Sequence, residues 1–281
     1  MTHPLRLALF GLALLLPRLV AGQGVLVAPH AVFIDHRTRS GAFDVYNPST
    51  DPVEVSVSTL FGYPVTDSAG QLTLATFEHA DTAARSAAGW IEAFPRRITL
   101  APNQRQTIRL LARPPQGLAD GEYWTRLVIQ SDGGRIAVEN PDSSGISVGV
   151  TLSVRTLISL MYRKGPLETG VRLTGLQGDV RGDTLVVASH LAREGTAAYL
   201  GTFRSALVDD AGRRVAEFET LIGLYDELRP RFRYPLGGLA PGRYTLQVQV
   251  DTDRDDLRGA PVLASPTVRA SVVVTVPPPG S

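Results

Sequence analysis

Alternating apolar and polar positions dominate the chain, and the longest such run extends from Ile146 to Tyr162. A period of two over seventeen positions indicates a β-strand with one buried face and contradicts the 3.6-residue spacing of a helix. Ordinary strands have about five or six residues, so the pattern predicts a strand that reaches past its own sheet. Its apolar or nearly apolar side chains are Ile146, Val148, Val150, Leu152, Val154, Thr156, Ile158, Leu160 and Tyr162.

Shorter alternating runs predict that the rest of the chain is also built from strands. They are bounded by Gly, Pro, Asn and Asp and recur about every ten residues, which is typical of an all-β sandwich or barrel. The stretch from Val53 to Val57 is one example of a half-buried antiparallel strand. In the second half, strands are predicted at Thr184 to Ser189, Tyr199 to Val208, Val215 to Gly223, Phe232 to Pro235, Arg243 to Val250 and Pro266 to Val276.

The first 22 residues have the pattern of an export signal. A basic residue precedes an apolar run that is too short to span a membrane, and a proline and two small residues follow. These features are Arg6, Leu7 to Leu16, Pro17, Ala21 and Gly22. We therefore expect a periplasmic protein whose mature chain starts near Gln23, without membrane insertion; the chain has no cysteine for a lipid anchor or a disulfide.

Roughly 260 mature residues suggest two domains. Lys164, Gly165 and Pro166 interrupt strand pairing directly after the long run, so we predict an N-terminal domain over 23–163 and a C-terminal β-sandwich over 164–281. The segment 65–89 is rich in Ala, Ser, Thr and Asp and fits this plan less well. We interpret it as an insertion with a short helix around Asp81 to Ala88, either functional or simply tolerated.

Charge and motifs argue against nucleic-acid binding and catalysis. The formal net charge is +1 with acids and bases interspersed, which gives no electrostatic reason for a nucleic-acid partner. The five histidines lack metal-ligand spacing, and neither a GxSxG elbow nor a phosphate loop is present. We expect no enzyme, no cofactor and no metal, although a triad assembled from distant positions stays open.

An acidic cluster at Asp251, Asp253, Asp255 and Asp256 resembles the opening of a calcium loop. Asp256 stands where that loop has its central glycine, and Val262 stands where a glutamate closes the site. The comparison favours a solvated loop after a strand.

Five motifs follow one another in the predicted N-terminal domain. They are a first strand from Val25 to Ile34 with Pro29, a second strand ending in Tyr46-Asn47-Pro48, Pro95 followed by Leu100-Ala101-Pro102-Asn103-Gln104, Gly121-Glu122-Tyr123-Trp124, and Met161-Tyr162-Arg163. In this order they resemble the periplasmic pilus-assembly chaperones of the PapD type. The resemblance covers most of the N-terminal domain and only generally the second.

The resemblance implies two immunoglobulin-like β-sandwiches in an L-shaped arrangement. It also implies that the long strand is donated to an incomplete pilus subunit, which the chaperone caps and delivers to an outer-membrane usher. Matching the end of the strand to Tyr162-Arg163 places the donor side chains on Val150, Leu152 and Val154, with Val148 and Ile146 extending the row. Alternatively, the whole row packs into the chain's own core, because alternation looks the same in both cases. A homodimer that caps itself is a further candidate partner.

The family holds the subunit's terminal carboxylate with an arginine on the first strand and a lysine on the last. Here those positions fall on His30 and Ser159, so the usual anchor is missing. Arg155 and Arg163 are further candidates. They either face solvent and form ion pairs across the domain joint, or they bind a carboxylate in a cleft, where a lower dielectric strengthens the interaction.

Two other functions compete with a pilus-subunit chaperone. The chain could be a structural or adhesive component of a surface fibre, in which case it remains in extracellular fibres. It could also be an exported hydrolase on a β scaffold, which the lack of a local catalytic motif disfavours.

Overall fold

A computed structural model describes residues 24–77, 85–138 and 148–278. Within these ranges the chain is almost entirely β-structure, and the helical segments are the 3-10 turns Ala88–Trp90 and Asp255–Leu257. The prediction of an all-β fold is therefore confirmed. The strands of the first half are β1 Leu26–Ala28, β2 Ala31–Asp35, β3 Ser40–Tyr46, β4 Val53–Thr66, β5 Leu72–Phe77, β6 Ile91–Phe94, β7 Arg97–Leu100, β8 Arg105–Ala112, β9 Gly121–Val138 and β10 Val148–Lys164.

These ten strands form a first sandwich of two facing sheets. One sheet has the order β1-β3-β8-β6; the other has the order β2-β10-β9-β4-β5, with β7 also paired to β4. The alternating residues of each strand meet between the sheets, as at Val53, Val55 and Val57 of β4 and at Leu127 and Ile129 of β9. The hydrophobic core of the first sandwich is therefore the one that the period-two pattern predicts.

A second sandwich follows. Its strands are β11 Thr169–Arg181, β12 Thr184–Gly195, β13 Tyr199–Val208, β14 Arg214–Leu224, β15 Glu227–Leu228, β16 Arg231–Pro235, β17 Gly242–Asp251 and β18 Val268–Val276. One sheet joins β11, β12, β15 and β16, and the other has the order β14-β13-β17-β18. Gly212, with φ +78°, lies in the turn between β13 and β14. The division into domains at Arg163 stays a prediction.

A third apolar cluster joins the two sandwiches. The first sandwich contributes Ala31, Phe61, Trp124 and Met161, and the second contributes Ala198, Leu200, Tyr225 and Leu257. Met161 and Trp124 come from β10 and β9, on the sheet face that is turned away from the first core. The joint therefore rests partly on β10, which is the long predicted strand, and on its neighbour β9. The L-shaped arrangement stays a prediction.

Part of the segment 65–89, interpreted as an insertion with a short helix, is β-structure. Residues Leu72–Phe77 pair with Phe61 to Thr66 and form a β-hairpin, β4–β5, on the edge of the sheet. Residues 78–84, which include the first half of the expected helix, lie outside the described residues. The described end of that segment is not α-helical, because Ser86 forms a β-bridge to Trp124 and a 3-10 turn starts at Ala88.

Candidate functional site

The most unusual feature of the first sandwich is an unpaired edge on β10. One side of β10 pairs with β9 almost from end to end, with a bulge between Thr151 and Ser153. On the other side, β2 pairs with β10 in parallel only from Ser159 to Arg163. The edge from Val148 to Ile158 thus has no strand partner among the described residues. Backbone N–H and C=O groups along such an edge can pair with another chain.

Burial divides the predicted apolar row into two parts. Ile158, Leu160 and Tyr162 are buried in the core of the first sandwich. Leu152 is 41% exposed, although leucine is usually buried, and Val154 is half-buried beside Gly24. The structure places Val148 and Val150 on the same strand, whereas Ile146 lies outside the described residues. The outer part of the row therefore combines an open backbone edge with an exposed apolar side chain.

The inner end of this edge meets a buried cation. Arg126 of β9 is only 8% exposed and lies on the sheet face opposite the core. Its Nε donates to the carbonyl of Gly62 at 3.0 Å, and its Nη1 donates to the hydroxyl of Ser159. Its guanidinium carbon lies 5.1 Å from the ring centroid of Tyr225. No carboxylate of the described residues pairs with Arg126 within 4.0 Å, and its Nη2 makes no hydrogen bond there.

A buried charge without a counter-ion is costly, so such a group marks a place where an anion can gain affinity. Sequence motifs did not indicate Arg126. The available signal was a single charge within the otherwise uncharged run Tyr123 to Ile129. Its meaning depends on the register between β9 and β10, which places Arg126 opposite Ser159.

The structure separates the four candidate anchor residues. Ser159 lies beside Arg126, and its backbone N–H faces the carbonyl of His30 at 3.4 Å. His30 is exposed and lies between β1 and β2 rather than on a strand. Arg155 is exposed on the same face of β10 as Ser159, four residues away, or about 13 Å along a strand. Ser159 therefore adjoins Arg126, and His30 meets the backbone of Ser159.

Arg163 has other partners. Its Nε donates to Glu122 at 2.8 Å, its Nη1 donates to the carbonyl of Pro261, and its guanidinium carbon lies 4.3 Å from the ring centroid of Phe33. Its side chain is only 13% exposed. Arg163 thus pairs with Glu122 of the neighbouring strand β9, and its contact with Pro261 reaches the second sandwich.

The acidic cluster after β17 is neutralised by arginines. Asp251 accepts a hydrogen bond from Arg204 at 3.0 Å, and Asp256 accepts two hydrogen bonds of 2.6 Å from Arg254. Hydrogen bonding to Arg254 is the largest cause that lowers the pKa of Asp256. Across the described ranges, no group of three His, Cys, Asp or Glu residues could hold a metal ion. In the same ranges, no helix has the length and hydropathy that a membrane span requires.

Comparisons with known proteins give structural neighbours only. No family model matches the chain, and no curated protein matches it. A structure of the Salmonella enterica SafA pilin in complex with the SafB chaperone is 14% identical, covering 89% of this chain and 96% of that chain, with a TM-score of 0.42. The Pseudomonas aeruginosa CupB2 chaperone is 12% identical, covering 89% and 100%, with a TM-score of 0.46.

A third neighbour is the CsuC-CsuE complex of a chaperone and a tip adhesion subunit, from the archaic chaperone-usher Csu pili of Acinetobacter baumannii. It is 15% identical and covers 73% of this chain and 89% of that chain, with a TM-score of 0.40. All three neighbours are chaperones or complexes that contain a chaperone.

Proposed function

We propose that the chain is a periplasmic chaperone that caps incomplete subunits of a pilus or other surface fibre and delivers them to an outer-membrane usher. One observation carries the proposal: β10 has an open edge from Val148 to Ile158 while β9 holds its other side. A strand held in this way is ordered before it binds, so it can pair with a partner at little further entropic cost. The N-terminal export pattern supports the periplasmic location.

The partner that fits this edge is a β-sandwich that lacks one strand. Such a protein exposes an apolar groove flanked by unpaired backbone groups and would aggregate if left uncovered. β10 offers both missing components, backbone hydrogen bonds and alternate apolar side chains, which is the strand-addition mode of recognition. We propose Ile146, Val148, Val150, Leu152 and Val154 as the donor row. Each aliphatic side chain that becomes buried contributes about 1.5 to 3 kcal/mol.

Arg126 supplies the anchor for the client's terminal carboxylate in this proposal. A client strand that runs parallel to β10 along its open edge ends where β2 begins, beside Ser159. A carboxylate at that end lies next to the Nη2 group of Arg126, which has no hydrogen-bond partner among the described side chains and backbone. Ser159 orients the guanidinium, and His30 can donate a second hydrogen bond. Arg155 lies further out and Arg163 is bound elsewhere.

Replacing Arg126 with Gln tests this anchor. The substitution removes the charge but keeps a hydrogen-bonding side chain, so client affinity should fall about 10-fold to 100-fold, the effect of one charge-assisted hydrogen bond. Affinity is measured by titrating a purified subunit against the intact chaperone. Arg155→Gln is the matched control, because Arg155 is an exposed cation on the same strand face. Equal affinity of Arg126→Gln and the wild type would show that the carboxylate is held elsewhere.

Co-expression tests the function itself. An affinity-tagged chain is expressed in the periplasm together with the fibre subunit encoded beside it, and the subunit is expected to co-purify. A second form of the subunit carries its missing strand as a C-terminal extension and folds on its own. That completed subunit is expected not to bind, because its groove is occupied. Binding of both forms alike, or recovery of the tagged chain in sheared extracellular fibres, would contradict the proposal.

The same edge is available to a second copy of the chain when no client is present. A self-capped homodimer therefore belongs to the proposal, as does the usher that receives the capped subunit.

A further inference from the structure

The guanidinium of Arg126 is held from both sandwiches. Gly62 of β4 and Ser159 of β10 accept its hydrogen bonds from the first sandwich. Tyr225 belongs to the second sandwich, directly after β14, and its ring lies against the guanidinium at 5.1 Å. A cation above an aromatic face is attracted to the ring without using its N–H donors. This contact therefore orients Arg126 and leaves Nη2 available for an anion.

Other aromatic side chains fix Tyr225 in turn. Tyr63 stacks on it with ring centroids 5.9 Å apart and an interplanar angle of 24°, and Trp124 meets it edge-on at 5.0 Å and 88°. The backbone carbonyl of Tyr225 accepts a 2.6 Å hydrogen bond from Arg193 Nε. Tyr225 is buried, with 3% of its surface exposed. Packed between these rings, the Tyr225 side chain is held in one position, so it can in turn position the guanidinium of Arg126.

Tyr63 reaches Tyr225 because the hairpin β4–β5 extends onto the second sandwich. The backbone N–H of Arg229 donates to Thr66 Oγ1 at 3.0 Å, and the N–H of Arg231 donates to the carbonyl of Gly70 at 2.8 Å. Gly70 has φ +78°, and a Cβ atom there would lie 2.4 Å from Cγ of Arg231. Only glycine fits this contact without a shift. The hairpin is thus attached to the second sandwich at its tip and at Tyr63.

We propose that Tyr225 is a positioning residue for Arg126, so that the carboxylate site is shared between the two sandwiches. The identity of the carboxylate as a client terminus rests on the proposed function, whereas the anion site itself does not. The hairpin β4–β5 then has a role, which is to hold Tyr63 and Tyr225 against the guanidinium. Without this support the Arg126 side chain samples other rotamers. Binding a carboxylate then carries the entropic cost of ordering that side chain.

The test uses the full chain with isotope-labelled arginine and follows the Nε–H signal of Arg126 by NMR, assigned with Arg126→Gln. The probe is acetate, and acetamide is the neutral control. Acetate is expected to shift the Arg126 Nε–H signal in a saturable way, whereas acetamide is expected to leave it unchanged. Tyr225→Leu should weaken acetate binding at least about fivefold. Tyr225→Phe keeps the aromatic face and should stay within about twofold of the wild type.

Leu257→Ala separates positioning from general loosening of the joint. Leu257 belongs to the same apolar cluster and comes from the same sandwich, but no hydrogen bond or ring contact joins it to Arg126. Its substitution should leave acetate affinity within about twofold. The proposal is overturned if Tyr225→Leu binds acetate as the wild type does, if Leu257→Ala weakens binding equally, or if acetate gives no saturable shift.

Failure of the proposed function would look different. Saturable acetate binding that depends on Tyr225, together with no retention of a fibre subunit, would contradict only the chaperone role. Retention of the subunit without acetate binding at Arg126 would contradict only the shared anion site.

Discussion

Changing Leu152 and Val154 together to Asp is expected to abolish the binding of a fibre subunit. Both positions belong to the proposed donor row, and two aliphatic side chains buried in a client groove contribute about 3 to 6 kcal/mol. Affinity should therefore fall at least about 100-fold. The fold should survive, because Leu152 is 41% exposed and the pairing of β10 with β9 does not depend on these side chains. Leu152→Asp is a surface substitution, which usually changes stability by no more than about 0.5 kcal/mol, whereas Val154 is half-buried and its substitution adds a larger loss.

Co-purification and a titration with the isolated subunit measure this effect, and thermal unfolding checks the fold. Val273→Asp is the matched control, since Val273 is an aliphatic residue of β18 that is 52% exposed. It should retain the client fully. If the double variant also retains the client with unchanged affinity, β10 is not the donor strand.

Changing Glu122 to Ala is expected to cause a large loss of stability. Glu122 is 1% exposed and accepts hydrogen bonds from Trp124 Nε1 at 2.8 Å, from the backbone N–H of Ala198 at 2.9 Å, and from Arg163 at 2.8 Å. Its removal leaves a poorly exposed guanidinium without its carboxylate and two donors without an acceptor. Removing one partner of a buried ion pair costs about 3 to 5 kcal/mol.

Urea unfolding of the intact chain measures this loss. Glu54→Ala is the control, because Glu54 forms an ion pair with Arg97 at 3.3 Å in which both side chains are more than half exposed. Exposed pairs of this kind contribute about 0 to 1 kcal/mol. A loss at Glu122 no larger than that at Glu54 would show that the buried pair of Glu122 and Arg163 is not structurally important.

Alternation predicted the strands that have one buried face. Tyr199–Val208 has the bounds that the sequence indicated, and β12, β14 and β17 differ from their predictions mainly at the ends. The strand Thr169–Arg181 was missed, because it contains three glycines and most of its side chains are half-buried or exposed. Leu72–Phe77 was missed for a related reason, since five of its six side chains are exposed and no face is marked by burial.

The candidate site was only partly accessible from sequence. The length of the long strand predicted its open part, and the family motifs indicated that the anchor at His30 and Ser159 was altered. Arg126 could not be placed, because its relation to Ser159 depends on strand register over 33 positions. Tyr225 comes from the other sandwich, about 100 residues further along the chain. Contacts of this kind follow from tertiary packing, which local patterns do not encode.

The short parallel pairing of β2 with β10 also limits the length of a strand that can be added to the open edge. It begins at Ser159, so a strand added to the open edge can extend only as far as Ile158 before it meets β2. From Val148 to Ile158 this edge is about 36 Å long at 3.3 Å per residue. Because the backbone of β2 blocks the edge, this limit acts on the length of an incoming segment, whatever its side chains are. Under the proposed function, clients of different sequence are aligned to one common end, beside Arg126.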